Sequence, residues 1–427
     1  MVMMMAAAAL ALVAAGRGPL VMPGVTTRVE NSLFFYDAFP ELPQLAPNAS
    51  VTIAEFSASR GGRINLMHLV LGGAGCGNPS GCPAPAEQRL EIQRRVALSI
   101  TYNNNSFPSV FVPIGDFFVD HGPDCYERNA LGLLEPCRPS RSRDPTARNS
   151  TTSKQFETPA VAKRDSDSWW SYIEMPYRTA IKVELVSRAS MTVGGYVWVQ
   201  HEDSPFDESS DGYFHAVFSS NPSLRFPLDT VPVLNGESVA GPGSLIGYAM
   251  VFTADAAPPV FAGDFNYVCE GNWEFFLDNA TALRGNDSSV DVARAGYQAS
   301  DGLITFLGTE DAFGYSGGWS GESTGYYSGT PLWFQQAGRH ALSTYRFFPR
   351  RPLRFSKELR AQVNWAFDVR RNPVFRAGSP VWRACPAGTG CPMSYDVITY
   401  MHLAAPRDAS ADAARIPWPV LDLLREG

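Results

Sequence analysis

The sequence predicts an all-β protein built from two tandem jelly-roll (β-sandwich) domains. Three observations point there. Glycine (37) and proline (33) are plentiful, and long helix-period stretches are scarce, which is the composition of a chain with many turns. Several segments alternate apolar and polar residues with period two, as half-buried strands do. A chain of 427 residues, 45 % of them hydrophobic, exceeds one comfortable core, so two domains of about 200 residues each are the natural division.

Taken in order, residues 1–18, "MVMMMAAAALALVAAGRG", form an apolar run too short for a membrane span but right for a signal peptide. The alternative is a disordered or packed apolar tail. No other segment is long and apolar enough to cross a bilayer, so the mature chain is expected to lack a membrane span. The first jelly roll is expected over 25–205. Its strands include "RVALSITY", with Val96, Leu98, Ile100 and Tyr102 on one face, and "AIKVELV", with Ile181, Val183 and Leu185 opposite Lys182 and Glu184. Within it, residues 138–165 read as a mobile polar loop: Arg138–Gln155 holds almost no large apolar group to offset the entropy of ordering. Acids, serines and a proline cluster at His201–Gly212 and mark the boundary. The second jelly roll, 206–427, contains "LIGYAMVF" (Leu245–Phe252), apolar throughout and so covered on both faces. It continues with the alternating Leu359, Ala361, Val363 and Trp365, and closes with "YDVITYMHL" (Tyr395–Leu403).

Charge and cysteine usage narrow the function classes. A formal charge of −7 gives no attraction for phosphate backbones, so nucleic acid is not an expected partner. Cys76 and Cys82, Cys125 and Cys137, and Cys385 and Cys391 lie close together in pairs, and Cys269 is left over. Three local disulfides follow most simply, although six cysteines permit 15 connectivities. Each bridge would contribute about 2–3 kcal/mol. Sequons for N-glycosylation occur at Asn48, Asn104, Asn149, Asn279 and Asn286. Together with paired cysteines they indicate a secreted, extracellular glycoprotein.

No His-Glu-x-x-His motif, structural zinc spacing or phosphate-cradling glycine loop occurs, so no metal or cofactor is expected. "GYSGG" (Gly314–Gly318) matches a hydrolase nucleophile elbow, but no helix follows it, and Ser316 reads as a loop residue. The carboxylates say more. "VCEGNWEFFLDN" places Glu270 and Glu274, and "FLGTEDAFGYSGGW" places Glu310 and Asp311, in apolar and aromatic company. Residues 279–300, polar and carrying two sequons, read as an exposed excursion between them. Without it, Glu270 and Glu310 sit on consecutive elements. Two carboxylates facing one cleft are what glycosidic bond cleavage requires, one as proton donor and one as nucleophile or base. Trp273, Tyr315 and Trp319 offer aromatic walls for a sugar ring. The plainer reading is a turn carboxylate for each acid and core packing for each aromatic.

These residues resemble glycoside hydrolase family 172, whose pattern of Glu-Gly-Asn/Asp-x-Glu and Gly-Thr-Glu-Asp-Tyr-Phe is similar to "EGNWEFFLD" from Glu270 and "GTEDAF" from Gly308. "FPSVFVPIGDFF" (Phe107–Phe118), "WSYIEMPYRTAIKVEL" (Trp170–Leu185), "GYFHA", "YRFFPRRPLRF" and "YDVITYMHL" resemble further family segments in the same order, over about Gly61–Leu403. The resemblance implies a retaining furanosidase acting on α-D-fructofuranosides or D-arabinofuranosides, with Glu270 as nucleophile and Glu310 as acid/base. It also implies pocket lining by Asp116, Trp170, Glu274, Asp311 and Trp319, and a homo-oligomer of three or more chains. Ala312 stands where the family has tyrosine. The competing expectation is a non-catalytic glycosylated jelly-roll protein that assembles into a surface layer, fibre or shell, or that binds glycans.

Overall fold

Alternating apolar side chains shape the fold, because a strand sends successive residues to opposite faces. The computed structural model describes residues 26–34, 44–73, 86–121, 126–128, 134–136, 155–165, 168–226, 228–234, 238–254, 271–278, 280, 302–306, 308–315, 322–336, 339–365 and 390–406. They form two β-sandwiches that share one central sheet.

The first sheet contains β1 (Thr26–Phe34), β3 (Gly62–Gly73), β8 (Phe156–Glu157), β9 (Val161–Asp165), β10 (Ser168–Ser171), β11 (Met175–Tyr177) and β13 (Val193–Asp203). Their order is β1-β13-β3-β10-β9-β8, and β11 also pairs with β3. The central sheet contains β2 (Ser50–Ser57), β4 (Val96–Tyr102), β5 (Val110–Pro113), β12 (Ala180–Ser187), β14 (Tyr213–Phe226), β17 (Gly243–Ala254), β20 (Ser328–Gln336), β21 (Arg339–Phe347), β22 (Leu353–Phe355) and β24 (Cys391–Leu403). It runs β2-β12-β4-β5-β14-β24-β17-β21-β20, with β22 beside β17. The third sheet, ordered β15-β23-β18-β19, contains β15 (Val231–Pro232), β16 (Val239–Ala240), β18 (Asn272–Leu277), β19 (Leu303–Phe306) and β23 (Glu358–Asn364). A small hairpin, β6 (Tyr126–Arg128) with β7 (Leu134–Pro136), stands apart. Three helices complete the described chain: α1 (Ala86–Arg95), α2 (Ile114–Phe117) and α3 (Thr309–Ala312).

The strand orders are those of jelly rolls. In the second sandwich β14-β24-β17-β21 faces β15-β23-β18-β19, and the chain crosses between the two sheets as it advances. In the first, β2-β12-β4-β5 faces β3-β10-β9-β8. The seam is a parallel contact of β5 with β14, where Val110 meets Ala216.

Two cores occupy opposite faces of the central sheet. Along β24, Ile398 and Tyr400 enter the first core, whereas Met393, Tyr395 and Val397 enter the second. Both faces of β17 are buried as expected from its unbroken apolar run. On β12, Ile181, Val183 and Leu185 point inward, and Lys182 pairs with Glu184 on the other face at 2.7 Å.

One expectation needs correcting. Within the polar stretch read as mobile, residues 156–165 supply β8 and β9. Val161, Ala162 and even Lys163 are buried there. Lys163 can be buried because its Nζ meets Asp120 Oδ1 at 2.7 Å, a partner remote in sequence. Residues 138–154, and the N-terminal run 1–18, lie outside the described residues.

Candidate functional site

β18 sends Trp273 and Phe275 into the second core. Trp273 is fully buried, stacked on Tyr248 with ring centroids 4.9 Å apart, so it packs the core and does not wall a cleft. Glu274 takes the opposite face. There Gln362 Nε2 donates to Glu274 Oε2 at 2.7 Å, and Asn364 also hydrogen-bonds the carboxylate. Burial raises the Glu274 pKa above the ordinary carboxylate value, and the two amides oppose the rise.

After β19 the chain turns into the single turn of α3, which carries Glu310 and Asp311. Glu310 is 8 % exposed, and its carboxyl curls over Gly308, filling the space a side chain at that position would need. Asp311 is half-buried. Its pKa is raised by burial, and the Arg346 guanidinium works against that rise. Arg346 Nη1 donates to the carbonyls of Asp311 (3.1 Å) and Ala312 (2.7 Å), and Tyr248 donates to the Ala312 carbonyl as well. The Asp311 carbonyl also accepts from the Gly314 N–H at 3.0 Å, so the side-chain donors add to the backbone bonds at the end of the turn. At the other end, Thr309 Oγ1 donates to the Gly271 carbonyl at 2.9 Å. The two acid-bearing motifs, 38 residues apart at this contact, therefore meet.

Glu270, the residue before Gly271, lies outside the described residues, as do Trp319 and Ser316. Asp116 and Trp170, expected beside the acids, are held elsewhere. Asp116 sits on α2, against the first-core face of the central sheet, ion-paired with Arg94 and 3.1 Å from His121 Nε2. Trp170 lies on the outer face of the first sheet, stacked on His68 at 3.8 Å with Arg164 over its ring. Tyr315 is half-buried, its hydroxyl 2.6 Å from Ser323 Oγ. Of the expected lining residues, the described structure places Asp311 on the same turn as Glu310 and Glu274 on the strand that this turn adjoins.

Sequence reasoning missed Thr309, Tyr248, Arg346, Gln362 and Asn364. Each is an ordinary strand or turn residue locally, and only pairing between distant strands brings it here.

Cys391 is disulfide-bonded, with its partner outside the described residues. Cys76, Cys82, Cys125, Cys137, Cys269 and Cys385 also lie outside them. Asn48 and Asn104 are exposed in turns with positive φ (56° and 59°); Asn149, Asn279 and Asn286 lie outside the described residues. Among the described residues no cluster of three or more His, Cys, Asp or Glu is placed to hold a metal, and no helix is long and apolar enough to cross a membrane.

No protein-family model and no curated protein matches this chain. Among solved structures it is similar to the major capsid protein P2 from Bacteriophage PM2, at 10 % identity over 91 % of this chain and 99 % of that one. The TM-score is 0.28, and a likeness at that level decides nothing about fold or function.

Proposed function

We propose that the chain is a secreted retaining glycoside hydrolase acting on furanosides, α-D-fructofuranosides or D-arabinofuranosides, through Glu270 and Glu310. The observation that supports this reading is the bond from Thr309 Oγ1 to the Gly271 carbonyl. It joins the residue preceding Glu310 to the residue following Glu270. In the proposed mechanism the Glu270 carboxylate attacks the anomeric carbon while Glu310 protonates the departing oxygen. Water then enters, gives its proton to Glu310, and releases the sugar from Glu270. Glu274 and Asp311 would line the site.

Hydrolysis of aryl α-D-fructofuranoside and D-arabinofuranoside is the test. The native chain should release the aryl alcohol, and Glu270→Gln and Glu310→Gln should each lower the rate by about 10²–10⁴. Equal rates in all three would remove the catalytic reading.

A second reading is favoured by the depth of Glu310 and by the ion pairs that engage Asp116. In that reading the chain is a non-catalytic glycosylated jelly-roll protein that assembles with its own copies into a layer, fibre or shell, or binds glycans. It predicts an inert native chain whose sedimentation coefficient climbs with concentration. An active chain that stays monomeric at every concentration would exclude it.

A further inference from the structure

Between the two sandwiches lies a cluster of ionisable side chains that the proposed hydrolysis does not use. Arg94, in the last turn of α1, places Nη1 3.4 Å from both carboxylate oxygens of Asp116. The same nitrogen is 3.5 Å from Oδ2 of Asp396, on β24. His121 approaches Asp116 Oδ1 through Nε2 at 3.1 Å and Ser343 Oγ, on β21, through Nδ1 at 2.7 Å. Ser220, on β14, donates to Asp396 Oδ1 at 2.7 Å. Tyr400 donates to the Phe117 carbonyl at 2.8 Å. Side-chain exposure is 2 % for Asp116, 1 % for His121 and 13 % for Asp396. Arg94, Asp116 and His121 come from the first sandwich; Ser220, Ser343, Asp396 and Tyr400 come from strands of the second.

The charges do not balance. One guanidinium stands between two carboxylates, with a neutral or charged imidazole alongside. Nearby, Lys163 and Asp120 pair with each other at 2.7 Å. With both acids ionised and the imidazole neutral, one net negative charge is buried, which is costly. A single bound proton removes it. The Ser343 hydroxyl rotates to accept from or donate to Nδ1, so the surroundings tolerate either state.

We propose that this cluster is a pH-sensitive latch between the two sandwiches, closed when one proton resides on Asp396 and loosened when that proton leaves. Burial raises the Asp396 pKa; Arg94, Ser220 and His121 act against the rise, and Asp116 reinforces it. The sign follows from linkage. The folded chain binds this proton more tightly than the unfolded chain does. The latch is therefore at full strength below the ordinary Asp value of 3.8 and is lost as pH rises through the elevated value.

The test compares urea unfolding of the full chain and of Asp396→Asn from about pH 3 to about pH 8, a range that starts below the ordinary Asp value of 3.8. The native chain should lose stability relative to Asp396→Asn as pH rises, by up to about tenfold in the folding constant per pH unit. The asparagine variant keeps a neutral side chain at every pH. Amide hydrogen exchange on the unsubstituted chain covers the case in which Asp396→Asn fails to fold. After correction for intrinsic base catalysis, amides of α2 and of β24 near Asp396 should lose protection together as pH rises, while those of β3 and β13 keep theirs. Parallel pH profiles for the two proteins, or unchanged α2 and β24 protection where the variant does not fold, would overturn the latch.

Discussion

Lys163→Met probes the deepest ion pair among the described residues. Lys163 Nζ lies 2.7 Å from Asp120 Oδ1, with side-chain exposures of 1 % and 0 %. Asp120 Oδ2 meanwhile accepts from Gln93 Nε2 and Trp169 Nε1, both at 2.9 Å. Methionine matches the length of the lysine stem but removes the ammonium, taking from the buried carboxylate the cation at 2.7 Å. Breaking such a pair from one side costs about 3–5 kcal/mol, roughly two to three and a half powers of ten in the folding constant. Replacing both charges with neutral groups avoids most of that cost, so Lys163→Met combined with Asp120→Asn should recover the greater part of it. Urea unfolding followed by tryptophan fluorescence suits the measurement, because Trp169 hydrogen-bonds the carboxylate directly. A single-variant loss below about 1 kcal/mol would mean the pair behaves as a solvent-screened surface contact. A double variant as unstable as the sum of its parts would mean the two charges do not act together.

Three other outcomes are expected. Gly115→Ala should destabilise the fold by about 1–3 kcal/mol in chemical denaturation, because a Cβ there would lie 2.7 Å from the Asp120 carbonyl and 2.9 Å from Gln93 Cβ. Thr309→Val removes the bond to Gly271 and should cost about 0.5–1.5 kcal/mol; if the furanosidase reading holds, the rate should fall with it, and an unchanged rate would separate this contact from the chemistry. His68 titrates at about 4, lowered from 6.5 first by burial and then by Arg164. It stays neutral in the fold where the unfolded chain would be protonated, so its contribution is present above pH 6.5 and lost as pH falls towards 4. His68→Phe keeps a ring against Trp170 and should flatten the stability profile in that window; an unchanged slope would show that another group sets it.

Much of the architecture was legible because strand burial is a period-two pattern written locally. Val96–Tyr102, Ile181–Leu185 and Leu359–Val363 each declare a buried face without reference to any other segment. The unbroken apolar run at Leu245–Phe252 announced a strand covered on both sides, and it lies between β24 and β21 with cores above and below. Lys163 shows where this reading stops. A lysine in a polar stretch reads as solvated, and nothing nearby in the chain says that Asp120 will neutralise it. Trp273 fails in the opposite direction: an aromatic between two acids reads as a sugar platform, yet the pleat that sends Glu274 to the other face of β18 must turn Trp273 into the second core.

Residue type and local periodicity were enough for the fold class and for the positions of the principal strands. Sheet packing brought Thr309 to Gly271, set Arg346 and Tyr248 against α3, and stood Arg94 between Asp116 and Asp396. Those contacts join residues far apart along the chain. Their strength comes from being dry and close, and a segment acquires both conditions only after the sheets have packed.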